Sequence, residues 1–257
     1  MTRKFSPRTE PALRLAGRRI LITGGASGIG RRTAEICVEE GAQVALFDRN
    51  AELLQAVAAE TGAFTYALDL TDEAAVNAAI DEAAAAMGGI DGLVNSAGVL
   101  MNGPRGLENI TTAEWNRVIS INLTAHFVVS RGAIKHLKAA PGRASIVNVS
   151  SGAGLTPSPA GPAYGSAKAG LIMLAHYIAH EFGPDIRANS VSPGATDTPM
   201  LDQSRAKTGG VLGPMGNALD RPATAEEMAR TIVFLLTDEA SYITGAAIAA
   251  DGGRAYH

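Results

Sequence analysis

A tyrosine and a lysine four residues apart are the pair in this sequence best suited to chemistry. Tyr164 and Lys168 stand in the stretch YGSAK, and on a helix side chains four positions apart project from the same face. A phenol has a pKa near 10, too high for efficient proton exchange at neutral pH. An ammonium about 4 Å away supplies about 4 kcal/mol at an effective dielectric near 20, enough to lower that pKa by about 2–3 units. The pair can therefore exchange protons near pH 7, although YxxxK alone is also common on solvated helix faces.

A glycine-rich turn joins the first apolar run to a helical stretch. RILITG at 19–24 continues directly into GASGIG at 25–30. Gly24 allows a sharp turn, while Gly28 and Gly30 allow the backbone to approach a pyrophosphate at the positive end of a helix. The spacing of these glycines differs from the GxGxxG of longer dehydrogenases. The prediction of a dinucleotide site therefore rests on the position of the turn, between a first strand and a first helix.

The second apolar run, QVALFD, ends in an acidic residue that favours one cofactor over another. Asp48 lies about twenty residues past the glycine turn, where a carboxylate can hold the adenosine ribose hydroxyls. It would repel the 2′-phosphate of NADP, so the sequence predicts NAD, with NADP the lesser alternative because of Arg49, Arg31 and Arg32. Asp48 could instead cap the next helix, a role that Asn50 can also fill.

The elements that must position these groups alternate along the chain from Arg18 onward. The pattern predicts an α/β fold, a three-layer doubly wound parallel sheet (Rossmann fold) of about seven strands with helices on both faces. Predicted strands are 19–24, 43–48, 64–70, 92–98, 145–151, 187–194 and 246–253, and the later predicted helices are 112–139, 164–182 and 225–237.

Two segments stand apart from this repeating unit. Residues 1–16 are polar with two prolines, which predicts a flexible N-terminal extension and a single domain over 17–257. Residues 199–223 are rich in glycine and proline and follow the C-terminal end of a strand, where ligands bind in this fold. We therefore expect 199–223 to be a substrate-binding lid.

Composition excludes several other classes of protein. A net charge of −3 without a basic block argues against a nucleic-acid partner. Cys37 is the only cysteine, which excludes an intramolecular disulfide and a thiolate metal site. His176 and His180 are four apart but have no obvious third ligand, so no metal is expected. There is no apolar run of signal-peptide or membrane-span length, and a cytoplasmic protein without a membrane partner is predicted.

Several motifs occur in a fixed order over nearly the whole chain. They are TGGASGIG at 23–30, NSAG at 95–98, Asn122 in INLT, Ser151, YGSAK at 164–168, PGATDT at 193–198 and DGG at 251–253. With this set, the stretch from Arg18 to Gly253 resembles the short-chain dehydrogenase/reductase family in its compact single-domain branch. One departure is NSAG, where the family more often has NNAG.

The resemblance implies four catalytic residues. Tyr164 would be the general acid/base that exchanges the alcohol proton, and Lys168 would lower its pKa and bind the nicotinamide ribose. Ser151, rather than its neighbour Ser150, would hold the substrate oxygen. Asn122 would position a water that links Lys168 to solvent.

The resemblance also implies cofactor contacts, an assembly and a pocket. Asp69 would contact adenine, Asn95 would steady the sheet, and the segment from Pro193 to Thr198 would seat the nicotinamide carboxamide. The implied contacts are Gly24, Ser27, Gly28, Ile29, Gly30, Asp48, Asp69, Leu70, Asn95, Ala97, Gly98, Tyr164, Lys168, Pro193, Gly194, Thr196 and Thr198. A homotetramer, a dimer of dimers, would form through the helices near 112–139 and 164–182. Met101, Leu155, Pro157 and Met200 could line the pocket, whereas Trp115 is expected to be a packing residue.

The expected function is thus an NAD-dependent oxidoreductase that interconverts a secondary alcohol and a ketone. One alternative is a non-catalytic NAD-binding redox sensor, but such proteins commonly lose the tyrosine or the lysine. Another is an NAD-using epimerase or dehydratase, which is usually longer. The fold alone does not choose between them, and the motifs leave the alcohol, its stereochemistry and the favoured direction open.

Overall fold

Seven parallel strands form the central sheet of the computed structural model, which describes residues 13–102, 106–140, 142, 144–207 and 216–255. The strands in chain order are β1 Arg19–Thr23, β2 Gln43–Asp48, β3 Phe64–Ala67, β4 Gly92–Asn95, β5 Ala144–Val149, β6 Ile186–Pro193, β7 Thr196–Asp197, β8 Ala223–Thr224 and β9 Ala247–Ala250. The sheet order is β3-β2-β1-β4-β5-β6-β9, and β7 and β8 form a separate parallel pair. The order reverses between β1 and β4, and in such sheets ligands bind at the strand ends beside the reversal.

Helices cover both faces of the sheet, as predicted. They are α1 Gly28–Glu39, α2 Ala51–Thr61, α3 Glu73–Met87, α4 Thr112–Ile119, α5 Ala125–Lys138, α6 Pro162–Phe182, α7 Pro199–Lys207 and α8 Ala225–Leu236. Along β1, Ile20 and Ile22 pack in one core with α1 and α8, while Leu21 packs in the other with α3 and α5. Because successive side chains of a strand face opposite sides, a strand that is apolar at every position must be covered twice. The three-layer Rossmann fold is therefore confirmed.

Several element boundaries differ from the sequence-based prediction. The strand predicted over 92–98 ends at Asn95, and residues 96–98 have no regular secondary structure. The predicted helix 112–139 is α4 and α5 joined by a π-helical turn, Ser120–Thr124. Helix α6 begins at Pro162, two residues before Tyr164, where proline's fixed φ suits a first turn and its missing N–H is no loss.

The N-terminal boundary and the lid segment also differ in detail from the prediction. Leu15 is fully buried and its N–H donates to the Glu40 carbonyl (3.0 Å), while Arg14 pairs with the Glu40 carboxylate (2.6 Å). The packed chain thus already includes residues assigned to the extension, whose residues 1–12 lie outside the described part. Within the predicted lid, Pro199–Lys207 is helical, and 208–215 lie outside the described residues. Among the described helices, none has the length and apolarity to span a membrane.

Candidate active site

The glycine turn after β1 brings the start of α1 against the end of the strand. Gly24 and Gly28 both have φ in the left-handed region, at 69° and 55°, which glycine adopts without steric cost. A Cβ on Gly30 would overlap the carbonyl oxygen of Gly24. The first turn of α1 can therefore pack directly on the glycine turn only because this position is glycine.

The N-terminus of α1 is left open for an anion. Its N-cap residue, Ser27, makes no side-chain capping hydrogen bond, and the first turn, which includes Ile29, contains no acidic residue. By contrast, α2, α3, α4 and α8 are capped by the side chains of Asn50, Asp72, Thr111 and Thr224. Free N–H groups at the positive end of a helix are what a phosphate binds. The residues present therefore fit the pyrophosphate of a dinucleotide.

Asp48 lies at the C-terminal end of β2, next to the glycine turn. Its Oδ2 accepts from the Ala26 N–H (3.2 Å) and its Oδ1 from the Asn50 N–H (3.0 Å). Asn50 itself caps α2 by accepting from the Leu53 N–H (3.0 Å). Asn50, not Asp48, is thus the N-cap of α2. The Asp48 carboxylate is instead fixed beside the predicted phosphate site.

The arginines that could favour NADP are differently engaged. Arg31 and Arg32 both form ion pairs with Glu35, at 2.8 and 2.9 Å. Arg49 is exposed at the end of β2. Of these three arginines, Arg31 and Arg32 are held by Glu35, whereas Arg49 is exposed next to Asp48.

Asp69 and Leu70 follow β3 and have different surroundings. Asp69 Oδ1 accepts from both the N–H (2.8 Å) and the hydroxyl (2.7 Å) of Thr71. These two hydrogen bonds hold the pKa of the Asp69 carboxyl below its usual value. Leu70 is buried in the core that contains α3 and α5. The Asp69 carboxylate is thus held in one position and is ionised at neutral pH.

The segment after β4 is tied to its neighbours by side chains. Asn95 Nδ2 donates to Asn148 Oδ1 on β5 and to Ser130 Oγ on α5, both at 2.9 Å. The Thr23 hydroxyl at the end of β1 accepts from the N–H groups of Ser96 (3.1 Å) and Ala97 (3.3 Å). The serine of NSAG is therefore held through its backbone, which agrees with the tolerance of a changed side chain there.

Asn122 holds the next residues of that segment from the π-helical turn. Its Nδ2 donates to the carbonyls of Val99 and Val118, and its Oδ1 accepts from the Val99 N–H, each at 3.0 Å. A Cβ on Gly98 would lie 2.7 Å from Asn122 Oδ1 and 3.5 Å from Lys168 Nζ. Both side-chain N–H groups of Asn122 are therefore committed to carbonyls, and Gly98 is needed for the close approach.

His126, which the sequence left without a role, lies in the same place. It is fully buried, and its Nε2 donates to the Ala97 carbonyl (2.8 Å). Burial, and then the charge of Lys168, lower the pKa of His126 to about 3. The imidazole is therefore neutral at working pH. Its spacing of four from Asn122 is the signal that could have suggested a shared target.

The two adjacent serines at the end of β5 have separate hydrogen-bond partners. Ser150 is buried and its hydroxyl donates to the Lys168 carbonyl (2.7 Å) in the backbone of α6. Ser151 accepts from the Ala153 N–H (3.1 Å) and is hydrogen-bonded to the Tyr164 side chain. Geometry therefore separates the two serines as the sequence did, with Ser151 beside the tyrosine.

Lys168 is almost completely buried next to Tyr164. Its side chain is 3% exposed, and Nζ donates to the Val149 carbonyl at 2.9 Å. Nζ lies 5.7 Å from the centre of the Tyr164 ring. Burial lowers the pKa of Lys168 to about 8, so the ammonium is still mostly charged at pH 7.

The expected lowering of the Tyr164 pKa is wrong for the chain by itself. Tyr164 is 7% exposed, and burial raises its pKa, while the hydrogen bond from Ser151 acts in the opposite direction but is weaker. Burial penalises the phenolate, and the nearby ammonium does not reverse this net effect. Lys168 is directed in part toward Val149 and lies against the ring.

Apolar side chains form one wall of the space around Tyr164. Met101, Val118 and Ala163 are buried in a cluster with Tyr164, and Trp115 packs against it. Of the other suggested pocket residues, Leu155 and Met200 are half-buried and Pro157 is exposed. Trp115 is thus a packing residue in this structure.

The segment after β6 closes the site from the other side. The Thr196 hydroxyl donates to the Gly194 carbonyl (3.2 Å), and the Thr198 hydroxyl donates to the Thr196 carbonyl (3.1 Å). Pro193 ends β6, and Thr198 Cγ2 would be 3.4 Å from a Cβ on Gly28. The predicted carboxamide segment therefore lies against the glycine turn. Within the described chain, no three His, Cys, Asp or Glu side chains converge as a metal site would need.

The chain is similar to known proteins both in sequence and in fold. Residues 24–255 match a family model described as enoyl-(acyl carrier protein) reductase. The chain is 40% identical over 243 residues to a 3-alpha-(or 20-beta)-hydroxysteroid dehydrogenase of Mycobacterium bovis, covering 93% of this chain and 90% of that protein. It is 37% identical over 254 residues to a 2,5-dichloro-2,5-cyclohexadiene-1,4-diol dehydrogenase of Sphingobium indicum, covering 94% and 98%. The solved structure of levodione reductase superposes with a TM-score of 0.87 at 34% identity, covering 94% and 99%.

The raised pKa of Tyr164 can be measured directly in the cofactor-free protein. The phenol should ionise above its usual value near 10, seen as the difference in phenolate absorbance between wild type and Tyr164→Phe. Ser151→Ala should move this ionisation to still higher pH, because it removes the hydrogen bond that lowers the pKa. Ionisation of Tyr164 below pH 9 in the free protein would contradict the dominance of burial.

Proposed function

Because the chain belongs to the short-chain dehydrogenase/reductase family and is an oxidoreductase acting on CH–OH groups, we propose that it interconverts a secondary alcohol and a ketone with NAD, using Tyr164 for proton transfer. The observation that carries the proposal is the convergence of Tyr164, Ser151 and Lys168 between the end of β5 and the first turns of α6. This convergence lies at the sheet edge that also carries the open N-terminus of α1.

Each side chain has a separate part in this mechanism. When bound, the nicotinamide supplies the group that accepts or returns the hydride. The Tyr164 hydroxyl takes the proton from the alcohol or returns it to the forming alkoxide. Ser151, already hydrogen-bonded to Tyr164, holds the substrate oxygen beside the phenol. Lys168 places a positive charge on the side of the ring away from solvent.

The alternatives fit the site less well. A redox sensor needs cofactor contacts but no buried tyrosine bonded to a serine and placed 5.7 Å from a buried ammonium. An epimerase or dehydratase would use the same tyrosine, but both curated relatives described above are named as dehydrogenases of alcohols. We therefore assign proton transfer at an alcohol oxygen.

The apolar wall favours a hydrophobic, ring-bearing alcohol as the substrate. Met101, Val118 and Ala163 pack with the catalytic tyrosine, and contact between apolar surfaces provides binding free energy without demanding polar partners. The two curated relatives are named for alcohols on steroid and cyclohexadiene rings. Helix α7, within the predicted lid 199–223, is the element that we propose closes over such a ring.

Replacing the tyrosine tests the reaction. Tyr164→Phe should lower kcat by at least about 10²-fold, the lower range for a positioned acid/base, because the proton has no other carrier at the substrate oxygen. NADH affinity, measured by fluorescence titration, should change little. Tyr242→Phe, at a fully exposed position, is the matched control and should behave as wild type. Activity retained by Tyr164→Phe would overturn the mechanism.

Replacing the ribose-binding carboxylate tests the cofactor. Wild type should have a higher kcat/KM with NAD than with NADP. Asp48→Ala should lower the NAD value by about 10-fold or more, since hydrogen bonds to charged groups contribute about 1.5–3 kcal/mol, and should raise the NADP value. The control is Glu82→Ala, at an exposed position of α3. A wild-type preference for NADP would contradict the assignment of NAD.

Exposed apolar side chains support a tetramer built through α5 and α6. Phe127 is 43% exposed, Met173 53% and Tyr177 64%, and such side chains are commonly covered by subunit contacts. Light scattering should give four times the 26.4 kDa chain mass, and Phe127→Glu with Tyr177→Glu should reduce it. Leu53→Glu, at an exposed position of α2, should not. A monomeric wild type at micromolar concentration would contradict this assembly.

A further inference from the structure

Two buried hydrogen-bond acceptors between β4 and α5 are unexplained by the mechanism. They are Nδ1 of His126 and Oδ1 of Asn95, and neither has a hydrogen-bond partner within the described part of the chain. Both residues are 0% exposed. Leaving a buried acceptor unpaired is costly, so each of these two atoms calls for a hydrogen-bond donor.

The orientation of the Asn95 amide follows from its neighbours. Asn148 Nδ2 donates to the Leu171 carbonyl (3.0 Å), so Asn148 Oδ1 must be the atom that faces Asn95. That oxygen accepts from Asn95 Nδ2 at 2.9 Å. Because a carbonyl can only accept, the whole chain of bonds is fixed, and the free atom of Asn95 is its oxygen.

The tautomer of His126 follows in the same way. The Ala97 carbonyl accepts from Nε2 (2.8 Å), so Nε2 carries the hydrogen and Nδ1 is a bare lone pair. The pKa of about 3 keeps this ring neutral. His126 thus presents an acceptor, not a second charge, toward its surroundings.

The two acceptors lie between the same two elements. His126 bonds to Ala97, two residues beyond Asn95, and Asn95 bonds to Ser130, one turn beyond His126. A water molecule can donate to two acceptors and accept from a third group, which is how buried waters usually bind. The Lys168 ammonium is the available donor, since it approaches Gly98, the residue after Ala97.

We propose that one buried water donates to His126 Nδ1 and Asn95 Oδ1 and accepts from the Lys168 ammonium, which makes His126 and Asn95 positioning residues for Lys168. The proposal rests on the proposed function, in which Lys168 acts on Tyr164. The side chain of Asn122 has no N–H left to donate to this water in place of Lys168, because both of its N–H groups donate to carbonyls.

Within the described chain, Lys168 is the charged group that acts on His126. Strands β4 and β5 contribute the neutral amides of Asn95 and Asn148. The acidic groups of α3 that reach α5, Glu73 and Asp81, form exposed ion pairs there with Arg131 and with Lys135 and His136. A change in the hydrogen bonding of His126 should therefore be felt first at Lys168.

Two substitutions separate the contacts of His126. His126→Gln can place an amide N–H near the Ala97 carbonyl but lacks an acceptor at the Nδ1 position, whereas His126→Asn keeps that acceptor and loses the bond to Ala97. With the water lost, His126→Gln should lower kcat by about tenfold, part of the roughly 10²–10⁴-fold that positioned proton transfer contributes. The acid limb of kcat/KM for alcohol oxidation should move to higher pH, because a less firmly held ammonium stabilises the phenolate less.

The pH profile and cofactor binding discriminate this role from a purely structural one. His126→Asn should keep the wild-type pH profile while NADH binding weakens, because Ala97 is released. His136→Gln, at a half-buried position on the same helix that pairs with Asp81, is the control for α5. If His126→Gln keeps the wild-type limb and kcat, or if both variants shift the limb equally, the proposal is wrong.

A measurement on the unmodified protein keeps the proposal independent of folding and of activity. The ¹⁵N resonance of His126 Nδ1, in the full-length protein without substrate, should show the shift of a hydrogen-bonded acceptor. The shift of a bare lone pair would overturn the water site even if Tyr164→Phe is inactive. Conversely, a hydrogen-bonded Nδ1 with an active Tyr164→Phe would leave the water in place and remove the proposed function.

Discussion

A buried ammonium is the constraint on which the rest of the site depends. Lys168 is 3% exposed, and burial lowers its pKa from 10.5 to about 8, which corresponds to roughly 3 kcal/mol of lost stability when the group is charged. The sign follows from linkage: below about pH 8 both folded and unfolded chains hold the proton, and the full cost applies. Between pH 8 and 10.5 only the unfolded chain retains it, so the cost falls as pH rises. At working pH the fold must therefore offset this charge.

The elements around Lys168 are arranged to do so. The last carbonyl of β5, from Val149, accepts one ammonium hydrogen, and Ser150 fixes the backbone of α6 at Lys168 itself. Gly98 leaves room for the ammonium beside the segment after β4. The π-helical turn then lets Asn122 hold that segment with three hydrogen bonds at 3.0 Å. Strand β5, the segment after β4, the π-helical turn and α6 thus all contribute to the surroundings of the Lys168 ammonium. This shared role connects motifs that are distant in sequence.

The sequence was sufficient for the sheet but not for this meeting point. In β1, Ile20 and Ile22 pack in one core and Leu21 packs in the other. This pattern is local in sequence, so an apolar run of strand length is enough to predict it. The π-helical turn at 120–124 was missed because its residues have ordinary helical character, and only contacts with Val99 explain it. His126 was missed for a related reason: its spacing of four from Asn122 acquires meaning only when the sheet places their common target, the segment with the Ala97 carbonyl.

The pKa of Tyr164 shows where arithmetic on charges alone fails. The attraction between a phenolate and an ammonium favours a lower pKa, but the desolvation of the phenolate opposes it. In the structure the desolvation of the phenolate is the larger effect, and it raises the pKa of Tyr164. With His126 neutral, Lys168 is the cation that faces the ring from within the protein. The chain by itself therefore keeps the proton on Tyr164. A phenolate becomes favourable only when further positive charge or hydrogen bonding reaches the open side of the ring, so the site restricts proton transfer to the assembled complex.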